Sequence, residues 1–502
     1  MIRKLLIANR GEIAVRVIRA AREMGIRTVA VYSESDKNAM HVALADESVS
    51  IGGSMPSESY LSIEKVIGAA KHTRAEAIHP GYGFLSERAE FSEACADAGI
   101  VFVGPSASAM QRLGSKSEAK ALAVQEAVPI VPGCFDLNAG PTDLKLAAEQ
   151  IGYPIMLKAS AGGGGRGMRE VRDPADFERE LSAASHEAFM AFGDGAMMVE
   201  KLVDRPRHIE VQILADTHGQ VVCLFERECS LQRRHQKLIE EAPSPYLANH
   251  AEMWREMAAA SRRLAVGAGY VGAGTVEFMV DESEGKFYFL EVNARLQVEH
   301  PVTEAVTSLD LVKWQLRIAS GERLDLDTRF ETGDRGSLSG HAIEARIVAE
   351  DPATGFTPSI GRVLAWAEPK APGIRVDTGF GPNSEVSRYY DSLLAKVIAY
   401  GETRLQAIEK LKAALLDFHI LGVKTNIGYV LDVLDHPDFK AGKIDTGFLG
   451  REFGDWSPGS VPEVLDSILK HAPVLQTSTS QAPRLAGVWD ANDRFRNSSS
   501  TG

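Results

Sequence analysis

Apolar residues in the first hundred positions alternate between short continuous runs and stretches with helical spacing. Arg3 to Ala8 reads as a buried strand, and Arg27 to Ser33 as a second. Between them Gly11 to Met24 reads as a helix, with Ile13, Val17, Ile18, Ala21 and Met24 on one side. The alternation continues through Ala75 to Pro80 and Val101 to Val103, which predicts an open parallel, Rossmann-like sheet up to about residue 113. The turn Asn9-Arg10-Gly11-Glu12 lacks G-x-G-x-x-G, so a dinucleotide site has little support.

Two later patterns carry chemistry. An apolar strand, Tyr153 to Leu157, leads through Lys158 into Gly162-Gly163-Gly164-Gly165-Arg166-Gly167, and Met168 to Val171 reads as the next strand. Such a loop bares backbone N–H groups that can close on phosphate oxygens, with Lys158 adding positive charge. No helix opens after it, so the dinucleotide fingerprint formed by Gly162, Gly164 and Gly167 lacks its helix N-terminus. Gly114-Ser-Lys-Ser117 likewise falls short of a phosphate-binding P-loop.

Further on, Gly274 to Asp281 and Phe287 to Asn293 read as a hairpin. With Asp281 facing Phe287, Glu277 lies opposite Glu291 and Thr275 opposite Asn293, while Val276, Phe278 and Val280 meet Tyr288, Leu290 and Val292 on the apolar face. Two facing glutamates repel unless one takes a proton or a cation lies between them, and oxygen ligands beside phosphates suit Mg²⁺. Arg295, Gln297, Glu299 and His300 follow at once, and Gln232-Arg-Arg-His-Gln-Lys237 adds a basic run. A solvated hairpin face and solvated charge runs are the plain alternatives. Taken together, however, the segments describe a site joining ATP to an anionic substrate.

Composition narrows the classes. The 502 residues are 44% hydrophobic, too many for one compact core, and imply about three domains. A net charge of −13 argues against general nucleic-acid or anionic-membrane binding. Cys95, Cys134, Cys223 and Cys229 form no C-x-x-C pair and read as small core residues. The start lacks the form of a signal peptide and no run is long enough for a membrane span, so a cytoplasmic setting is expected, or a mitochondrial matrix one if a transit peptide has been removed.

Over about residues 1 to 450 the chain resembles the biotin carboxylases of the ATP-grasp superfamily. The matching segments are Ile7-Ala-Asn-Arg-Gly-Glu-Ile-Ala14, His79-Pro-Gly-Tyr-Gly-Phe-Leu-Ser86, Gly162 to Met168, Gln232 to Lys237, Glu291 to Glu304 and His341-Ala-Ile-Glu-Ala-Arg346. The resemblance implies that Lys116, Lys158 and the glycines of the loop hold ATP phosphates. It also implies that Glu200, Lys201 and Val203 meet the adenine end, and that His208, Gln232 and His235 line the ribose and phosphates. Glu277, Glu291 and Asn293 would bind Mg²⁺, with Mn²⁺ as a substitute. Lys237, Arg295, Gln297 and Val298 would hold bicarbonate, with Glu299 as its general base. Arg346 would stabilise the biotin enolate beside Tyr82 and Gly83.

On the same grounds the chain divides into an N-terminal domain (1–113), an ATP-grasp domain (114–330) with a mobile lid at about 131–204, a strand-rich C-terminal domain (331–453) and a tail or linker (454–502). Ala294 stands where the family usually has Thr or Pro. No Ala-Met-Lys-Met occurs, so biotin is expected on a separate carrier protein or domain, with a carboxyltransferase subunit as partner and a homodimer or larger assembly. The tail Gly487 to Arg496 loosely resembles the opening of the middle region in longer acyl-CoA carboxylase α-subunits, a hint of truncation. Another bicarbonate-using ATP-grasp ligase and a non-catalytic scaffold subunit remain the alternatives.

Overall fold

The computed structural model describes residues 1–459 except positions 137, 161–166, 235, 327–329, 331–334 and 336–337, with backbone alone at 116 and 192. The chain separates into a unit of Met1–Ser457 and another of Pro458–Gly502; nearly all of the second, with the expected linker, lies outside the described residues.

The expected parallel sheet is present, with five strands in the order Glu47–Gly52, Arg27–Ser33, Lys4–Ile7, Ala77–His79, Val101–Phe102. Helix Gly11–Glu23 buries Ile13, Val17, Ile18 and Ala21 on the sheet, as their spacing requires. The edge strand Glu47–Gly52 escapes the hydrophobic pattern because only Ile51 is buried along it.

A second sheet of four antiparallel strands runs Gly133–Cys134, Met197–Lys201, Ile155–Ala159, Met168–Val171. The glycine loop therefore joins two paired strands, as predicted. Helices Pro141–Ile151 and Phe177–Phe192 supply Leu144, Ala148, Phe177, Leu181 and Ala184 to its core.

The largest sheet has eight antiparallel strands, in the order Lys286–Asn293, Gly272–Asp281, Arg207–Ala215, Val221–Arg233, Gln236–Ala242, His341–Val348, Leu393–Gly401, Ile374–Thr378. One hydrogen-bonded ladder thus spans the division expected at residue 330. The hairpin register is Glu277 opposite Glu291 and Thr275 opposite Asn293, as expected. Nearer the turn it is Asp281 opposite Lys286 and Val280 opposite Phe287, because a bulge after Glu277 absorbs one residue. The bulge corrects the core: Phe287 and Phe289 are buried, not Tyr288 and Leu290. Cys95, Cys223 and Cys229 are buried, Cys134 partly so, and all four are free thiols.

Phe278 is fully buried with its ring 5.4 Å from that of Phe287. Phe278→Ala should lower stability by about 3–5 kcal/mol through the cavity it leaves. A fall in the urea midpoint checks this; a loss below about 1 kcal/mol would mean the hairpin is not seated on this core.

Candidate active site

A cavity of about 1690 Å³ collects most of the residues singled out in the sequence. Its walls include Tyr82, Gly83, Lys158, Glu200, Lys201, Val203, His208, Gln232, Lys237, Glu277, Glu291, Asn293, Arg295, Gln297, Val298, Glu299 and Arg346. Gly162, Gly163, Gly164, Gly165, His235 and the side chain of Lys116 lie outside the described residues. Gly167 is not part of the wall. Its φ is +69°, and a Cβ there would come 2.8 Å from that of Ala159, so backbone geometry by itself calls for glycine.

The large sheet supplies the polar floor. Gln232 and Lys237 are register partners, as are Arg233 and Gln236, on a hairpin whose turn carries Arg234, so the basic run is a hairpin tip. Strand alternation aims His208 and Glu210 to one side. The ligand atoms of His208, Glu210 and Glu277 all lie within 4.8 Å of one another.

Lys237 is the centre of the site. Its Nζ donates to Glu210 (2.5 Å), Glu299 (2.7 Å), Glu277 (2.8 Å) and Gln297 Oε1 (3.1 Å). Glu277 also accepts from Asn293 Nδ2 at 2.9 Å and Gln297 Nε2 at 3.0 Å, and lies 2.9 Å from His208 Nε2. Burial alone pushes the Glu277 and Glu299 carboxyls up, but the cations outweigh it. Lys237 and His208 hold Glu277 well below the usual range; Lys237, Arg346 and Arg227 do the same for Glu299. Conversely, burial works against the Lys237 ammonium, yet Glu210, Glu277 and Glu299 keep it charged far above neutral pH.

Arg346 Nε donates to Glu240 at 2.6 Å and its Nη2 to Glu299 at 3.0 Å. Arg295 donates from Nε to Glu87 and from Nη2 to Asn293 Oδ1, both at 2.8 Å. Tyr82 donates its hydroxyl to Glu12. Lys396, fully buried beneath, donates to the Val298 carbonyl at 2.8 Å and so fixes the segment carrying Glu299.

At the other end Glu200 accepts from Lys158 at 2.5 Å and also from Lys120. Although burial opposes it, Lys158 and Lys120 hold the Glu200 carboxyl below its ordinary value. Met156, Met198, Val203, Met279 and Leu290 form an apolar wall beside these charges, which suits a flat heterocycle attached to phosphates.

Sequence reasoning missed Lys120, Glu210, Glu87 and Lys396. Signals existed for all four: Lys120 follows Lys116 by one helical turn, Glu210 alternates with His208, and Glu87 directly follows the Gly-rich His79–Ser86 segment. For Lys396 the signal is a lone cation inside the apolar run Leu393–Gly401.

Family models match residues 1–110 (biotin carboxylase, N-terminal domain), 115–327 (carbamoyl-phosphate synthase L chain, ATP binding domain) and 344–451 (biotin carboxylase C-terminal domain). A biotin carboxylase of Nostoc sp. is 50% identical over 89% of this chain and 98% of its own. The mitochondrial methylcrotonoyl-CoA carboxylase subunit alpha of Mus musculus is 48% identical over 94% of this chain, which spans only 65% of that relative. Among solved structures, the biotin carboxylase domain dimer of the Hydrogenobacter thermophilus 2-oxoglutarate carboxylase, in complex with MgADP, ADP and bicarbonate, is similar with a TM-score of 0.85. It is 43% identical over 92% of this chain and all of that one.

Lys237→Met should leave buried carboxylates without their shared cation, costing about 3–5 kcal/mol of stability. It should also raise the carboxyls that Lys237 now depresses. Infrared spectra should then contain more protonated-carboxyl absorption at weakly acidic pH than those of the parent, whereas unchanged spectra and stability would contradict the hub.

Proposed function

The chain belongs to the biotin carboxylase family of ATP-dependent ligases, and on that basis we propose how its residues divide the work of carboxylating biotin with bicarbonate. The observation that carries the proposal is the convergence of Lys237, Glu299 and Arg346 with the Glu277–Glu291 pair in one cavity.

ATP lies with its adenine against the apolar wall near Glu200, Lys201 and Val203, and its phosphates toward Lys116, Lys158, the glycine loop, His208, Gln232 and His235. The opposed carboxylates of Glu277 and Glu291, with Asn293, form a hard oxygen donor set that fits Mg²⁺. When bound there, the ion neutralises charge on the phosphoryl oxygens. Lys237, Arg295, Gln297 and Val298 receive bicarbonate. The donors of Lys237 and Gln297 now satisfy the protein's own carboxylates, so an arriving anion competes with Glu277 and Glu299 for the same N–H groups. As Lys237 and Arg346 turn toward substrate, the Glu299 carboxylate loses the partners that depress it and becomes a stronger base.

Deprotonated bicarbonate attacks the γ-phosphorus, releasing ADP and forming carboxyphosphate, which breaks down to CO₂ and phosphate. The phosphate takes the ureido proton of biotin, and the enolate formed beside Tyr82 and Gly83 captures CO₂. Arg346 stabilises the enolate oxygen because its guanidinium stays charged and keeps fixed donor geometry. Family membership implies partners that carry biotin and transfer the carboxyl group. The finer proposal is a separate carrier, a carboxyltransferase subunit for an acyl-CoA acceptor, and a homodimeric or larger assembly. No helix among the described residues is long and apolar enough to cross a membrane, and a cytoplasmic or mitochondrial matrix setting completes the proposal. So does the division at 1–113, 114–330 with a lid at about 131–204, 331–453 and 454–502.

Purified chain with Mg²⁺ should show bicarbonate-dependent ADP release stimulated by free biotin. ADP release indifferent to biotin but raised by ammonia would favour a carbamoyl-phosphate-forming ligase instead. Arg346→Ala should lower biotin carboxylation about 100-fold or more, with ATP affinity changed by less than about threefold. A large loss of nucleotide affinity would contradict the assigned role.

A further inference from the structure

Beneath Arg346 lie two carboxylates that the mechanism does not use. Glu240 and Glu344 are register partners on strands Gln236–Ala242 and His341–Val348, and neither is exposed at all. Cross-strand partners project from the same face. Arg346 shares that face two residues along from Glu344, and its own register partner is Lys396.

Counting partners leaves this face with one carboxylate too many. Glu299 is served by Lys237 and Arg346, and Glu240 by Arg346. Lys396 is committed to the Val298 carbonyl and lies 3.3 Å from Glu12 and 3.7 Å from Asp377. On helix His300–Thr307, packed over the same face, Glu304 is paired with Arg16 and Arg375, and His300 meets the Gln297 carbonyl. Among the described residues nothing donates to Glu344: both of its oxygens, and Oε2 of Glu240, are buried without a hydrogen-bond partner. Two ionised carboxylates cannot persist there, one of them wholly unsolvated and the other half-satisfied.

We propose that Glu240 and Glu344 hold one proton between them and act as positioning residues for the biotin step, setting how tightly Arg346 is clamped to the sheet. With the proton present, the guanidinium can turn from Glu240 to the forming enolate oxygen; with both carboxylates ionised, Glu240 retains it. This rests on the assignment of Arg346 to biotin. The electrostatics agree. Burial, against Arg346 and with repulsion from Glu299, raises the Glu240 carboxyl to about 7. Burial also drives Glu344 well above its ordinary value, opposed by Lys396 and reinforced by Glu240.

The test is the ratio of biotin-dependent to biotin-independent ATP cleavage between pH 6 and 9 at fixed bicarbonate concentration. In the unaltered chain kcat/KM for biotin, relative to the biotin-independent rate, should fall about tenfold per pH unit above an inflection near 7. Glu344→Gln removes a like charge and offers Glu240 an N–H, so the inflection should move down by about one pH unit or more. Glu240→Gln should erase it. An inflection unmoved in both variants, or a flat ratio in the unaltered chain, overturns the inference while leaving biotin carboxylation standing. Absence of biotin carboxylation altogether would overturn the functional reading and this one with it. Should neither variant fold, infrared titration of the unaltered chain decides: a buried protonated-carboxyl band lost as pH rises through about 7 supports the shared proton, and its absence at pH 6 overturns it.

Discussion

The arrangement depends on one ammonium group out of water. Lys237 meets three carboxylates within 2.8 Å, and each of them reaches the site from a different part of the sequence. Glu210 comes from a central strand, Glu277 from the hairpin, and Glu299 from the segment after it. Buried ions tolerate little displacement, because attraction and desolvation both vary steeply with distance. The charges therefore fix the relative positions of three backbone segments. They also keep Glu299 ionised and the donors of Lys237 and Gln297 oriented.

The same economy explains why the site is described most fully by its ion pairs. Arg227, fully buried, donates to Glu210 at 2.5 Å and to Gln212, Thr275 and Thr303, so the carboxylate that grips Lys237 is itself held from behind. Arg295 is braced by Glu87, which lies between strands Ala77–His79 and Val101–Phe102 of the parallel sheet. Each group placed at the reacting end thus has a second partner that limits its rotation. Supported geometry of this kind is what a reaction through a labile intermediate requires.

Much of this was legible in the sequence wherever a local period carried the signal. The parallel sheet announced itself through apolar runs separated by an amphipathic helix. The glycine loop was recognisable between two strands, and the opposition of Glu277 and Glu291 was reached by alternation from a register with Asp281 facing Phe287, which holds at the glutamates. That alternation failed at the outer end of the hairpin, where a bulge seats Phe287 and Phe289 in the core; a bulge leaves no trace in a period of two. Residue roles at Lys237, Glu299 and Arg346 came from family resemblance. Physical reading could not supply them, since Glu240 and Arg346 are 106 positions apart and meet only through strand pairing. Glu240 and Glu344 were silent for the same reason. A charge within an apolar strand has no partner in its own neighbourhood, and only the folded sheet reveals which one it has.

The antiparallel ladder adds a constraint of scale. Strand Lys286–Asn293 stands at one edge and His341–Val348 five places along, a separation of roughly 24 Å at about 4.8 Å per strand if the sheet were flat. Yet Glu299, six residues beyond Asn293, touches Arg346 on that distant strand. A six-residue segment reaches at most roughly 20 Å, so the chain after Asn293 and the two side chains together bridge the gap. Register shifts interrupt this ladder at Val211/Ile213, Glu228/Leu231, Leu231/Gln232 and Glu277/Phe278, each within a few residues of a group in the cavity. The register of the sheet is thus an adjustable dimension of the enzyme. A single inserted or deleted residue at one of these irregularities would change the span between Asn293 and Arg346 while leaving the side chains that line the cavity the same.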